Sequence, residues 1–311
     1  MLTKTFKIYR LLAIFCLFFP THFFPMSLIE NGIPGLLLYY YREPNLNNFG
    51  DYLSLKIVER MVNQPVGVYR KLVHKRAKKL LGLGSIFYFA LDGDVVWGSG
   101  INGKTLKKTD YSFTQLDVRA VRGPLTRQFL KENFDIDAPE VYGDPALLFP
   151  RLFPEFKRKE NPSYEYIIIP HYKELAMFPK ELYPQAVYPT DPWEEVIEKI
   201  LDSKFVISSS LHGLIIADAY GIPSRMLRVT EKEFLFKYQD YYLGTNRPYF
   251  RYAATVEEAL LMGGEMPFEC DLEKLYNAFP FEFWNEPAIE SKKEEIMVEV
   301  FCEMNLESEQ Q

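Results

Sequence analysis

Apolar runs of strand length alternate along the chain with segments whose apolar residues recur at helical spacing. "GLLLYYY" (35–41) is the first such run. "DYLSLKIVERMVN" follows it with Leu53, Ile57, Val58, Met61 and Val62 on one helical face. Between them "REPNLNNFGD" gathers Pro, Asn and Gly as a loop does, with Asp51 near the helix start. The basic stretch 69–82 reads as a helix. "GSIFYFAL" and "DVVWGSG" read as two strands, the second ending in Gly98-Ser99-Gly100. "LDVRAVRGPLTRQFLKEN" reads as a strand, a break at Gly123-Pro124, and a helix with Pro in its first turn. "YGDPALLFP" is a loop and a short helix.

Residues 151–163 are charged and Pro-containing, and read as a linker. The alternation then restarts. "YEYIIIPHY" is a strand and "QAVYPTD" a weaker one. "PWEEVIEKILDS" is amphipathic through Trp193, Val196, Ile197, Ile200 and Leu201. "KFVISSS", "LHGLIIADAYG" and "IPSRMLRV" read as strand, helix, strand, and "TVEEALLMGG" as a helix. Two successive strand–helix series imply an α/β chain with two Rossmann-like parallel-sheet domains, at 27–150 and 164–270. A helical extension covers 271–311, where Ile289, Ile296, Val300 and Met304 share one side. Residues 1–26 stand apart. Lys4, Lys7 and Arg10 precede "LLAIFCLFFPTHFF", which reads as a short membrane anchor, a signal peptide, or a leader upstream of a start at Met26.

Composition narrows this picture. Hydrophobic content of 48% and charged content of 25% are those of a globular chain. A net charge of −6 argues against a general nucleic-acid binder. Cys16, Cys270 and Cys302 are scattered and odd in number, so they suggest neither a disulfide framework nor a zinc site. The 25 Phe and 21 Tyr supply core, and can also supply stacking surfaces for sugars.

Candidate chemistry gathers at turns from strand to helix. Ser208–Ser210 sit at the carboxyl end of a buried strand, where open α/β sheets bind ligands. The helix after them offers free amides to an anion. His212 and Gly213 follow at once. One reading has His212 facing an anionic ligand as acid or base; the other has a Ser cap with a structural His. "NNFGD" is either a ligand-approach loop or a plain turn capped by Asp51. Arg119 and Arg122 at a strand end are either anion ligands or surface ion-pair partners. Lys237 and Asp240 lie among aromatics in "FKYQDYY". "DGD" (92–94) reads as a turn before a strand, with a metal-holding Asp-x-Asp as the lesser alternative.

"NNFGDYLS", "WGSG", "VRAVRGPLT", "VYGDPALLFP", "ISSSLHGLIIADAYGIPS" and "FKYQDYYLGTNR", in this order, resemble the polysaccharide pyruvyl transferase family over about residues 36–265. The resemblance implies a GT-B-like fold and phosphoenolpyruvate as donor, with no metal or other cofactor. It implies a sugar acceptor in an oligosaccharide, a polysaccharide or a lipid-linked glycan, and a pyruvate ketal as product. His212 matches the histidine of the family's Leu-His-Gly motif and is the implied catalytic group. Arg122, and more weakly Arg119, are the implied donor ligands, with Ser209, Ser210, Gly213 and Lys237. Asn48, Gly50, Asp51, Gly98, Ser99 and Asp240 are implied to line the acceptor side of the cleft. Some members carry an arginine directly before the Leu-His pair, where this chain has Ser210. Arg225, Arg228 or Lys237 are the candidates to replace its charge. Because phosphoenolpyruvate is cytosolic, a cytoplasmic location at the membrane face is expected. A nucleotide-sugar glycosyltransferase and a non-catalytic glycan-binding descendant are the alternative readings.

Overall fold

The structure, a computed structural model, describes residues 36–42, 48–70, 77–231 and 233–285. The segment 1–26 and the helix expected over 289–305 lie outside the described residues. Among the described residues no helix is long and apolar enough to cross a membrane.

Two four-stranded parallel sheets carry the chain. The first runs β1 (Leu37–Tyr39), β2 (Lys79–Leu81), β3 (Val95–Trp97), β4 (Asp117–Ala120) in spatial order. The second runs β5 (Ile167–Ile169), β6 (Val206–Ser208), β7 (Ser224–Leu227), β8 (Tyr252–Ala253). Single parallel bridges extend both sheets on the outer flank, Leu38 to Val68 beside β1 and Ile168 to Ala186 beside β5. In each sheet the chain therefore leaves the first strand, pairs on one side of it, and crosses to the other. That is the 2-1-3-4-5 order, whose crevice for ligands lies outside the carboxyl ends of the first and third strands. The arrangement is consistent with Rossmann-like domains. The crevices fall between β1 and β2 and between β5 and β6.

Helices follow where the sequence places them. After β1 comes α1 (Phe49–Val62), burying Leu53, Ile57, Val58 and Met61. After β4 comes α2 (Pro124–Phe134). A tight turn at Pro145–Leu148 leads into α3 (Phe149–Leu152). The second half contributes α4 (Trp193–Leu201), α5 (Leu211–Ala219), α6 (Phe236–Gly244) and α7 (Val256–Met262). Last come α8 (Leu272–Asn277) and α9 (Glu282–Asn285). α1 packs on α4, and α5 on the Pro145–Leu148 turn. One apolar cluster thus includes Leu38 and Val58 together with Ile197 and Ile215. Phe153, in the charged segment 151–163, is buried and stacks on Phe149 at 4.2 Å. The Trp97 indole donates to the Leu275 carbonyl at 2.8 Å, tying α8 back to β3.

Two local expectations are corrected. Within the basic stretch 69–82 the structure has a strand at Lys79–Leu81, not a helix. Lys79 can be buried there because its ammonium meets the Asp94 carboxylate at 2.7 Å and lies over the Tyr69 ring. Residues 84–91, expected as a strand, form a 3₁₀ turn at Phe87–Phe89 and a single parallel bridge from Leu91 to Ser112. The strand slot beside β1 is already filled by β2, and Phe87 packs into an aromatic cluster with Phe113 instead.

Candidate active site

The turn from β6 to α5 is built by hydroxyls. Ser208 Oγ donates to the Ile169 carbonyl at 2.8 Å and accepts from Ser210 N at 3.0 Å, fastening β6 to β5. Ser209 Oγ donates to Glu174 Oε2 at 2.6 Å and accepts from His171 N at 2.8 Å. Ser210 takes the extended N-cap conformation but makes no side-chain cap bond. A Cβ on Gly213 would stand 2.5 Å from Ser208 Oγ and 3.3 Å from Ile169 Cβ. Gly213 therefore makes room for the strands beneath the helix.

His212, the second residue of α5, meets the second residue of α1. A Cβ on Gly50 would stand 2.2 Å from His212 Nδ1 and 2.6 Å from Cγ, so the ring rests directly on the backbone there. Asn48 caps α1 by accepting from Gly50 N at 3.1 Å. Two helix N-termini, each with its partial positive charge, converge on one imidazole. On its other side stands Asp144. Its Oδ1 caps the Pro145–Leu148 turn, accepting from Ala146 N at 2.9 Å. Its Oδ2 lies 3.7 Å from His212 Nε2. Among the described residues neither Oδ2 nor Nε2 has a hydrogen-bond partner, although Asp144 is 0% and His212 9% exposed. Leaving such groups unpaired costs about 1–3 kcal/mol each, and here, unlike at Ser54 Oγ or Tyr242 Oη, two unpaired atoms of opposite character face each other. Gly98 helps set this geometry. At φ +85° its missing side chain admits Pro145, whose Cδ would be 2.3 Å from a Cβ. Ser99 Oγ donates to the Gly84 carbonyl at 2.9 Å, and the Asp51 carboxylate lies beside Gly84.

The arginines stand elsewhere. Arg122 is 0% exposed. Its Nε donates to Asp240 Oδ2 at 3.1 Å, Nη1 to Ser85 Oγ at 2.7 Å and Nη2 to the Ile101 carbonyl at 2.5 Å. Asp240 also accepts from Thr126 N at 2.9 Å and Thr126 Oγ1 at 2.6 Å, so it caps α2. Glycines close this joint: a Cβ on Gly123 would stand 1.8 Å from the Asp240 carbonyl oxygen, and one on Gly244 2.3 Å from the Arg122 carbonyl oxygen. Arg119 is half-buried and bonded to Asp117 and Glu282. Arg225 is buried against the carbonyls of Gly263, Gly264 and Arg251. Arg228 lies over the Tyr252 ring. Lys237 donates to Glu233 Oε2 at 2.7 Å. In "DGD", Asp92 accepts from Gln115 N at 2.9 Å, and Asp94 from Lys79 N at 2.9 Å and Leu91 N at 2.7 Å. Both carboxylates hold backbone.

Comparison with known proteins decides what these turns belong to. Residues 44–230, more than half of the chain, match the family model described as polysaccharide pyruvyl transferase. The succinoglycan biosynthesis protein ExoV of Rhizobium meliloti (strain 1021) is 30% identical over 237 residues, 72% of this chain and 71% of that protein. The chain belongs to the polysaccharide pyruvyl transferase family. It is also 28% identical over 188 residues to the uncharacterized protein L143 of Acanthamoeba polyphaga mimivirus, 58% of this chain and 64% of that one. A functionally uncharacterized protein from Klebsiella pneumoniae subsp. pneumoniae NTUH-K2044 superposes with a TM-score of 0.44 at 13% identity. That match covers 74% of this chain and 95% of the other.

The pyruvyl transferase family match spans Gly50, Arg122, Asp144 and His212 and ends before Lys237 and Asp240. Of the residues implied by sequence, the structure brings together His212 and Gly50, with Asn48 capping beneath them. It joins Arg122 to Asp240 in a separate closed joint. Sequence reasoning missed Asp144, though it stands in the "GDPALL" motif. The available signal was an Asp before Pro at a helix start, which reads as a cap whether or not its second oxygen serves another residue.

Proposed function

We propose that this pyruvyl transferase family member moves the pyruvate unit of phosphoenolpyruvate onto two hydroxyls of a sugar in a surface polysaccharide or its precursor. A ketal forms and phosphate leaves. The observation that carries this reading is the unpaired His212–Asp144 pair at the meeting of two helix N-termini. Phosphoenolpyruvate is anionic at both ends, and helix amides favour anions. The reaction needs a proton to move. The donor's methylene carbon gains one hydrogen and becomes a methyl. The central carbon, left electron-poor, takes both sugar oxygens and releases the phosphate. Of the two hydroxyl protons, one ends on the methyl carbon and the other on the phosphate, so the balance closes without a further cofactor. His212 is the group that carries the proton, with the Asp144 carboxylate facing its Nε2 at 3.7 Å.

The parallel sheets, with an imidazole of one lying on a helix of the other, support a GT-B-like site between their carboxyl edges. The acceptor reading is supported by the family and by the succinoglycan biosynthesis relative. Tyr88, 50% exposed, and Phe89 beside it follow β2 at the same edge and offer rings to a sugar face. Donor supply favours the cytoplasm, at the membrane face where lipid-linked glycans are built. The test is incubation of the full chain with phosphoenolpyruvate and candidate glycans, following phosphate release. Release that depends on the glycan is expected. No release with any acceptor, together with no donor binding by calorimetry, overturns the reading.

A further inference from the structure

Glu233, between β7 and α6, collects basic side chains from both halves. Lys104, after β3, donates to its Oε1 at 2.8 Å. Lys237, in the first turn of α6, donates to Oε2 at 2.7 Å. His171, just past β5, has Nε2 3.9 Å from the same oxygen. Lys104 keeps 36% of its side chain in solvent, and the other three about a tenth, so the carboxylate is reachable where the Arg122–Asp240 pair is sealed. Burial alone would raise the Glu233 carboxyl, yet Lys237 and Lys104 draw it down to about 2. Burial, then Lys237, holds His171 down to about 3, so it is a neutral hydrogen-bonding group at neutral pH.

Three details point to a ligand rather than to stability. Two ammonium groups share one carboxylate, and the neighbouring acid Glu174 is occupied by Ser209 at 2.6 Å and Thr230 at 2.5 Å. Lys237 stands at a helix N-terminus, where the macrodipole opposes a cation and welcomes an anion. The cluster also lies at the crevice between β5 and β6. His171 N and the Tyr238 hydroxyl both bond Ser209, at 2.8 and 2.7 Å, three residues before His212.

We propose that Lys104, Lys237 and His171 form an anion site for a carboxylate or phosphate group, and that Glu233 fills it as an internal substitute until the ligand displaces it. For the family's reaction the ligand is an anionic end of the donor, which rests on the function proposed above. The site itself does not. It supplies cationic charge to a turn that carries Ser210 in place of an arginine. A tethered carboxylate competes at an effective concentration in the millimolar range, so ligand binding is weakened until it lets go.

The experiment titrates inorganic phosphate and phosphoenolpyruvate into the full chain by calorimetry, with Glu233→Gln, Lys237→Met and Lys104→Met compared after a thermal check of folding. Glu233→Gln is expected to bind phosphate about tenfold tighter, the competitor being gone. Both lysine variants are expected to bind it more weakly, and salt to weaken binding throughout. Lys104 is a third exposed, so its variant keeps the test open if Lys237→Met does not fold. Unchanged phosphate affinity in Glu233→Gln, or undiminished affinity in a folded lysine variant, overturns the proposal. Phosphate binding with the expected order but no pyruvyl transfer would leave the site standing and remove the reaction. Transfer with Glu233→Gln indistinguishable from the parent would do the reverse.

Discussion

Two strand-to-helix turns carry the strongest motifs of this chain, and they are finished in opposite ways. At the turn from β4 to α2, Arg122 bonds Asp240, Ser85 and Ile101, and Asp240 in turn caps α2. At the turn from β6 to α5, His212 Nε2 and Asp144 Oδ2 face each other at 3.7 Å, buried and without a hydrogen bond among the described residues. Both turns use glycines to bring distant segments into contact, Gly123 against Asp240 and Gly50 against His212. Close packing therefore does not separate architecture from chemistry. What differs is the pairing at the centre of each turn: the arginine is bonded on every side, whereas the imidazole Nε2 has no partner among the described residues.

The sharpest way to break this comparison is Arg122→Ala. Removing one partner of a sealed ion pair strands the Asp240 charge and should cost about 3–5 kcal/mol, read from urea or thermal unfolding. Unchanged stability with lost donor binding would make Arg122 a ligand group and void the contrast. His212→Gln and Asp144→Asn test the other turn. Neither deletes a side-chain hydrogen bond at Nε2 or Oδ2, so stability should move by about 1 kcal/mol or less. Transfer should fall ~10²–10⁴-fold for His212→Gln and less for Asp144→Asn, measured as phosphate release. Loss of folding in both, with no kinetic loss specific to transfer, would place this turn with the first.

The smallest effect at neutral pH concerns His171, whose side chain is mostly buried and neutral. Its folded-state pKa, about 3, lies below the usual 6.5, so the unfolded chain takes up the proton first. Burial is the main cause; Lys237, Lys173 and Lys104 lower it further, and Glu233 opposes them. Stability is then complete above about pH 6.5 and declines as pH falls toward 3, by at most about 1.4 kcal/mol per unit. His171→Gln should flatten that slope in urea midpoints taken across the range. An unchanged slope would assign the acid sensitivity to other groups.

Much of the framework was legible because turn residues mark it. The Ser run before Leu211, Gly123-Pro124 and the Asn-rich loop each stand where a strand yields to a helix. β2 was hidden because Lys79 belongs to a basic run with helical spacing, and its neutralising Asp94 lies outside that run. The roles within the site were hidden for a related reason. An arginine at a strand end looks the same whether it meets a substrate or an aspartate 118 residues away. Asp144 reads as a cap, and it is one, but only the fold reveals which residue its second oxygen faces. Local pattern encodes conformation; long-range partners are encoded only by the whole packing.

The contact between Gly50 and His212 bears on how the protein comes to be active during synthesis. The imidazole rests on a helix made early, yet it is carried by a helix translated 162 residues later. A nascent chain that has emerged only through its first sheet lacks His212, and one that lacks α1 has no Gly50 backbone for the imidazole to rest on. On the proposed function, the proton carrier and the surface it rests on are therefore brought together only once both helices are made.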